Sequence, residues 1–284
     1  MPLLLLLLML LSICPPVYAA PDLFSFAESL AAEEDHYRAI TEYKRFLHYF
    51  PQDPRAPRAQ LGIAESLLAG QRWEQAEAAL EKTWQIHPTS PEATEARRFY
   101  AQSAFDQKKY PEARQRYQQL KGISENLAEQ SNYQIGLSYL EEGAVDKAQE
   151  SFAALNRADT GKLLTTLEEY RQLPRKSPSL AGTLSAILPG AGQLYTERPR
   201  QSAVAFALNA VFIYGAIEAW NNENYTVAGI LSLFEIGWYG GNIYNAMNNA
   251  HKYNRAREET FKQRFKLNFG MLGQTPWLQA QYRF

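Results

Sequence analysis

A small residue recurs at a nearly constant interval in the first half of this 284-residue chain. Alanines separated by 37, 37 and 35 residues stand at Ala39, Ala76, Ala113 and Ala148. Four positions after each alanine is an aromatic residue or leucine: Tyr43, Leu80, Tyr117 and Phe152. Twelve positions before each alanine is another small residue: Ala27, Ala64, Ala101 and Gly136. A period of roughly 20–50 residues predicts a solenoid whose units bury their apolar faces against one another.

Each unit has two segments with apolar residues at helical spacing, which predicts a pair of α-helices. Two helices approach closely only where a side chain is small, and the bulky residue four positions on fills the space beside it. This pattern, with closing prolines at Pro51 and Pro88, resembles the tetratricopeptide repeat (TPR) over residues 22–156. The segment HPTSPEATEARRFYAQSAF is similar to repeats of periplasmic TPR proteins in the bacterial envelope. The resemblance implies four TPR-like repeats in an all-α helix-hairpin solenoid that binds proteins.

Several polar and aromatic residues of the first helices have two interpretations. The first is contact with a partner, for Tyr100, Gln102, Asn132, Tyr133 and Gln134. The second, which is favoured, is that Tyr100 and Tyr133 pack between repeats.

Residues 1–19 predict a secretory signal peptide. Leucine fills most of residues 3–11, and Val17 and Ala19 suit cleavage after Ala19. No Lys or Arg precedes the apolar run, so an uncleaved anchor is an alternative. Lipidation of Cys14, the chain's one cysteine, is another. Cleavage leaves a mature chain without a thiol, which excludes disulfides and cysteine-based metal sites.

Two apolar stretches in the second half, residues 202–220 and 227–247, predict a transmembrane helical hairpin. Each has about 20 residues, which is enough to cross a hydrocarbon core of roughly 30 Å. Residues 201–250 carry no charged side chains except three glutamates. Small residues along both stretches suit close helix contact in lipid. A buried pair of helices in a soluble domain is the alternative.

Four polar residues inside these stretches are candidate intramembrane sites: Asn209, Tyr214, Glu235 and Asn242. Folding the hairpin in the middle brings Glu235 level with Phe212. A carboxyl group inside a membrane needs a partner, so we expect a hydrogen bond to Glu235 from Tyr214 or Asn209. A proton- or ion-coupled site is the functional alternative.

A glycine-rich motif precedes the hairpin, and its defining residues are Ser185, Pro189, Gly190, Gly192, Gln193 and Tyr195. The pattern S-x-x-L-P-G-x-G-Q-x-Y resembles the opening of small two-helix membrane modules in bacterial envelope proteins. Proline breaks a helix and the two glycines permit a tight turn. We therefore expect residues 179–195 to form a re-entrant or interfacial segment that opens a membrane module of residues 179–250.

The segments on either side of this module are also assigned. Residues 157–178 predict a helix from Thr165 to Leu173 that caps the repeats, followed by a linker. Residues 251–284 form a basic tail. Its alternating residues 265–269 and 278–284 predict a short C-terminal β-hairpin. The terminal Phe284, with Tyr282 two positions before it, resembles the C-terminal signal of outer-membrane β-barrels. One hairpin cannot close a barrel, so a peripheral hairpin is favoured.

The sequence leaves the membrane topology open. Basic residues flank both ends of the predicted hairpin, which favours cytoplasmic flanks. A cleaved signal peptide favours a periplasmic repeat domain. Both hold only if residues 179–195 also cross. Otherwise the hairpin violates the positive-inside tendency or lies in a different membrane. The inner membrane is preferred over the outer.

No enzyme signature occurs in the chain. The four histidines have no metal-ligand spacing, and no nucleophile elbow, phosphate loop or dinucleotide fingerprint is present. The net charge of −1 gives no electrostatic reason to bind nucleic acid. We therefore expect no enzymatic activity, cofactor or metal.

Two functions fit these features. The first is a membrane-tethered TPR scaffold in the bacterial cell envelope, serving assembly or secretion through contacts with other envelope proteins or peptides. The second is a small membrane component whose hairpin forms homo-oligomers or moves a solute, regulated by the TPR domain. The lipid bilayer is a partner in both.

Overall fold

The computed structural model describes residues 22–269, which form two compact units that divide after Leu155. The predicted signal peptide, residues 1–19, lies outside the described residues. The helices of the first unit are α1 (Leu23–Ala32), α2 (His36–Tyr49), α3 (Ala56–Ala69), α4 (Trp73–Ile86), α5 (Pro91–Asp106), α6 (Tyr110–Leu120), α7 (Glu125–Glu141) and α8 (Val145–Ala153). Those of the second unit are α9 (Thr160–Arg171), α10 (Pro178–Ile187), α11 (Ala191–Tyr195), α12 (Pro199–Asn221) and α13 (Tyr225–Phe269).

The first unit is a row of four helix pairs in which each helix packs on the next. All twelve residues of the repeat pattern are buried. In the fourth pair, a Cβ added to Gly136 would lie 2.4 Å from Cε1 of Phe152. The aromatic ring of one helix therefore lies directly against the small residue of the other, because a larger residue at 136 would have no room.

The two helices of each pair are joined by the same turn. One residue with left-handed backbone conformation follows the first helix: Glu34, Gln71, Lys108 and Gly143, with φ of 62°, 53°, 61° and 75°. The next N–H donates to the carbonyl five residues earlier, as from Asp35 to Leu30 and from Arg72 to Leu67, both at 2.9 Å. This Schellman arrangement satisfies the last helical carbonyls and reverses the chain within a few residues.

In the second unit, α12 and α13 pack as an antiparallel pair. Asn249 Nδ2 donates to Gln201 Oε1 at 2.8 Å near one end, and Gly215 faces Leu231 towards the other. The predicted stretches 202–220 and 227–247 both lie in these helices, but α13 continues 22 residues past Met247 to Phe269. Among the described residues, α12 alone is long and apolar enough to cross a membrane.

One expectation about the second unit needs correction, and two stay predictions. Residues 179–195, predicted as a re-entrant or interfacial segment, form α10 and α11, which are separated by the predicted break at Pro189. Residues 265–269, predicted as a strand, are the last turns of α13, and residues 270–284 lie outside the described part of the chain. The helix predicted from Thr165 to Leu173 is observed as α9, which belongs to the second unit, where Tyr170 packs on Phe261 with ring centroids 5.2 Å apart. Its role as a cap of the repeats stays a prediction.

The left-handed turn residue makes a reciprocal test. Gln71 and Gly143 occupy equivalent, exposed positions. Gln71→Gly removes the strain of a left-handed non-glycine residue, about 1 kcal/mol, and Gly143→Gln introduces it. Amide hydrogen exchange of the full chain is therefore expected to slow about fivefold in α3 and α4 of the first variant, and to accelerate about fivefold in α7 and α8 of the second.

The control for these two substitutions is Gly122→Gln. Gly122 has no left-handed φ, and nothing lies within 4 Å of an added Cβ. Unchanged protection of α7 and α8 in Gly143→Gln would contradict the assignment of strain to the turn.

Candidate functional site

The first unit carries a groove of about 740 Å³ between α2 and α4, with α3 as its floor. Ile63 and Leu67 of α3 lie at the bottom, and Ile40 and Ala79 line the two walls. All four side chains are largely buried, so the floor is apolar and formed by the core of the repeats. Tyr37, which is 77% exposed, stands at the rim.

The rim of this groove is basic. Lys44, Arg72 and Lys82 line it, and no Asp or Glu of the described residues does. None of the three cations forms an ion pair within residues 22–269. This site was not predicted from the sequence, because its cations come from different parts of the repeats and follow no repeat spacing. The groove combines an apolar floor with an uncompensated positive edge, which suits an acidic segment that has apolar side chains.

Next to this groove, a buried arginine links the second and third helix pairs. Arg116 of α6 donates through Nη2 to Glu77 Oε2 of α4 at 3.1 Å and through Nη1 to the carbonyl of Tyr100 at 2.7 Å. Its guanidinium carbon lies 3.6 Å from the centroid of the Tyr100 ring. Burial raises the pKa of the Glu77 carboxyl, but hydrogen bonds from Arg116 and Ser103 outweigh burial, so this pKa is lowered. The carboxylate therefore stays ionised, and the arginine fixes the spacing of α4 and α6.

The candidate partner-contact residues are placed by the same packing. Tyr100 also meets the Trp84 ring edge-on at 5.4 Å. Gln102 accepts a hydrogen bond from Tyr117 OH at 2.6 Å, and Tyr133 packs on Phe152 with ring centroids 5.8 Å apart. Asn132 and Gln134 are half-buried. Tyr100 therefore packs between the second and third helix pairs, whereas the contacts of Gln102 and Tyr133 lie within the third and fourth pairs.

The glycine-rich motif forms a buried hydrogen-bonded junction in the second unit. Ser185 Oγ donates to Gln193 Oε1 at 2.9 Å and accepts from the Gly192 N–H at 3.1 Å. Gln193 Nε2 donates to the carbonyl of Asn242 at 3.0 Å. The hydroxyl of Tyr195 accepts from the Ser177 N–H at 3.1 Å. The motif therefore ties α10 and α11 to each other and to α13.

The two glycines of the motif are required by close contacts. Gly190, with φ of 92°, begins α11, and a Cβ there would lie 2.5 Å from the carbonyl oxygen of Ser202. A Cβ on Gly192 would lie 2.0 Å from the carbonyl oxygen of Ala181. Pro189 stands in the break between the two helices. The break was predicted from these residues, whereas the hydrogen bonds of Ser185 and Gln193 were not.

Comparison with known proteins identifies the first unit. Residues 24–91 and 78–128 match the family model of the tetratricopeptide repeat. Residues 24–128 are tetratricopeptide repeats. A solved tetratricopeptide repeat protein from Parabacteroides merdae is similar, with 13% identity and a TM-score of 0.43, over 86% of this chain and 96% of that chain. No curated protein matches the chain in sequence.

Tetratricopeptide repeats generally mediate protein–protein interactions, and no catalytic family is indicated. Within residues 22–269, no group of three or more His, Cys, Asp or Glu side chains is placed to hold a metal ion. The basic groove between α2 and α4 lies within the matched repeats, so it is the candidate binding site.

The polar residues of α12 and α13 are not arranged as predicted. Glu235 is 9% exposed, but neither of its carboxylate oxygens accepts a hydrogen bond from residues 22–269. The Asn209 amide donates instead to the carbonyl of Ala205 at 2.5 Å, one turn back on its own helix. Tyr214 is 69% exposed. The predicted hydrogen bond to Glu235 is therefore wrong.

The glycines of α13 also differ from expectation. A Cβ added to Gly229, Gly237, Gly240 or Gly241 would meet nothing within 4 Å. These glycines therefore do not allow close contact with α12, contrary to the prediction for small residues in the two stretches. On α12, a Cβ added to its one glycine, Gly215, would lie 3.4 Å from Cδ1 of Leu231.

The junction around Ser185 gives a stability prediction. Ser185→Ala leaves the buried Gly192 N–H and Gln193 Oε1 without their partner, which is expected to cost about 1–3 kcal/mol. Gly192→Ala forces a backbone shift and is expected to cost at least as much. Thermal unfolding of the full-length protein in detergent measures both.

The matched control is Gly240→Ala, because an added Cβ there meets nothing. It is expected to keep or slightly raise the unfolding temperature, since alanine favours a helix over glycine. Equal unfolding temperatures for Gly192→Ala and Gly240→Ala would contradict the role assigned to the junction.

Proposed function

We propose that this protein is a membrane-tethered scaffold of the bacterial cell envelope that holds a protein partner in its repeat domain. The proposal rests on two features of one chain. The first is a tetratricopeptide repeat domain with an open basic groove. The second is the 23-residue helix α12. Only 11% of its most apolar 18-residue stretch is buried.

The exposed surface of the α12–α13 pair supports the tether and carries the proposal. Apolar side chains face outward on both helices, among them Val211 at 66%, Leu233 at 73% and Ile236 at 71% exposure. A surface of this kind is unfavourable in water and favourable in lipid. The 23 residues of α12 extend about 34 Å, which exceeds a hydrocarbon core of roughly 30 Å.

The lengths of the remaining helices bear on topology. The ten residues of α10 extend about 15 Å, which is half a hydrocarbon core. The structure therefore gives no support to a third crossing by residues 179–195. In our proposal α12 and the first half of α13 cross the membrane, and the signal peptide directs the repeat domain to the periplasmic side of the inner membrane.

The charge of the basic groove supports a partner class. Lys44, Arg72 and Lys82 have no carboxylate beside them in the groove. An acidic partner segment with apolar side chains gains charge complementarity at the rim and burial on the floor of Ile63 and Leu67. We place the scaffold's partner, an envelope protein or peptide, in this groove.

The tether is tested by fractionation and reporter fusions. The full-length protein is expected to stay in the inner-membrane pellet after alkaline washing, with reporters at residues 160, 198 and 258 periplasmic and one at 223 cytoplasmic. Val211→Asp combined with Ile213→Asp, on exposed positions of α12, is expected to release the protein. The control pair, Gln118→Asp with Gln119→Asp on the exposed face of α6, is expected to remain. A cytoplasmic reporter at 160 contradicts the periplasmic location.

The groove is tested by selecting peptides from a random display library on the full-length protein in detergent. Peptides that bind the wild type are expected to carry Asp or Glu next to apolar residues. Replacing Lys44, Arg72 and Lys82 by Glu is expected to shift the selection to basic peptides, because it reverses the charge of the rim.

The control for peptide selection reverses three exposed cations of the first unit that lie outside the groove: Lys108, Lys109 and Lys147. This variant is expected to select the same acidic peptides as the wild type. Selection of neutral or basic peptides by the wild type, or an unchanged selection by the groove variant, contradicts the assigned partner class.

A further inference from the structure

A second groove, of about 760 Å³, runs along the α12–α13 pair and has no role in the function proposed above. Its wall on α13 changes character along the helix. Asn245 and Asn242 lie at one end, Trp238 follows, and Phe234 and Leu233 lie at the other. The thirteen residues from Leu233 to Asn245 span twelve helical rises, about 18 Å, slightly more than one leaflet of a hydrocarbon core of roughly 30 Å.

The polar end of this groove carries one cation. Arg200, near the start of α12, lines it together with Gln201 and Gln193, and no Asp or Glu of the described residues does. Arg200 forms no ion pair within residues 22–269. The Asn242 Nδ2 atom is buried and has no hydrogen-bond acceptor in the same part of the chain. An anionic oxygen at this end therefore meets a free guanidinium and an amide without a partner.

The other end of the groove is apolar and open. Trp238, Phe234 and Leu233 are 46%, 67% and 73% exposed. Gly237 and Gly241 form the surface between them and the polar end, and the space where their side chains would be is empty. The groove is therefore shallow along its whole length, because glycine leaves the helix backbone uncovered.

We propose that this groove binds one anionic phospholipid, with its phosphate at Arg200 and an acyl chain along Gly241, Gly237 and Phe234. The inference rests on the membrane location proposed above. Arg200 lies near the start of α12, where the headgroup region would be, and the apolar wall extends from there into the hydrocarbon region. The order of polar, small and aromatic groups along the groove matches the order of groups along the lipid.

The glycine pair at positions 237 and 241 also suits a second helix, as in transmembrane dimers. A symmetric parallel pair of chains across this groove would bring the two Arg200 side chains together with no carboxylate lining either groove. Like charges in that position oppose the pairing, so the lipid is the favoured occupant. A second copy of the chain remains an outcome of the test.

The test uses full-length protein in nanodiscs that contain equal parts of phosphatidylcholine and phosphatidylglycerol. Native mass spectrometry after gentle release counts the lipids that each protein retains. The wild type is expected to retain one phosphatidylglycerol in preference to phosphatidylcholine. Arg200→Gln is expected to weaken this retention about tenfold, because it removes a charge-assisted contact with the phosphate. The matched control, Arg198→Gln, changes an exposed arginine that does not line the groove and is expected to retain the lipid.

A second pair of variants tests the apolar part of the groove. Gly241→Leu fills the groove, whereas Gly240→Leu places the same side chain one position away, outside it. Both positions have open space around an added Cβ, so both variants are expected to fold as helices. Gly241→Leu is expected to abolish retention of phosphatidylglycerol, and Gly240→Leu is expected to leave it unchanged.

Three results would overturn the inference. They are equal retention of both lipids by the wild type, equal retention by Arg200→Gln and Arg198→Gln, and a dimer that Gly241→Leu breaks while lipid retention is unchanged. A protein that resides in the membrane but shows any of these results refutes the lipid site and leaves the tether intact. A protein washed from membranes by alkali refutes the tether itself.

Discussion

The repeat unit depends on a turn made from backbone hydrogen bonds around one left-handed residue. The same turn ends α1, α3, α5 and α7, and it recurs after α11 at Glu197 and after α12 at Glu223. Because backbone groups form its bonds, glutamate, glutamine, lysine and glycine all occupy the left-handed position. Each turn fixes how the second helix returns along the first, and the contact of Gly136 with Phe152 follows from that return. The apolar groove floor around Ile63 and Leu67 rests on the same packing.

The sequence predicted the repeats well because local spacing determines them. Each repeat has a small residue in its first helix and another in its second helix, with a bulky residue four positions after the latter. These three residues are enough to identify the contact surfaces of the helix pair. The first strand of the tail was predicted wrongly because its five residues fit two periods. Residues 265–269 alternate as in a strand, yet Phe261, Phe265 and Phe269 recur every four residues as in a helix. Their rings lie 5.9 and 5.0 Å apart along α13, and the helical period prevails.

The sites were less predictable than the fold because their partners are distant in sequence. Gln193 bonds to a carbonyl 49 residues away, and no spacing rule relates Gln193 to Asn242. The cations of the repeat groove come from both of its walls. Lys44 lies on α2, Arg72 immediately precedes α4, and Lys82 lies within α4. The partner predicted for Glu235 failed for a local reason, since the Asn209 amide bonds to its own helix. Aligning two helices by depth shows which side chains lie at the same height. It does not show that a side chain hydrogen-bonds to a backbone carbonyl of its own helix.

The 45-residue helix α13 joins two environments without a break. Its first half packs on α12, and its last turns hold Phe261 against Tyr170 of α9. An uninterrupted α-helix of this length is about 67 Å long and resists twisting, since every turn is bonded to the next. Because Phe261 and the part of α13 that packs on α12 belong to one unbroken helix, the contact with Tyr170 ties α9 to the same continuous element as α12.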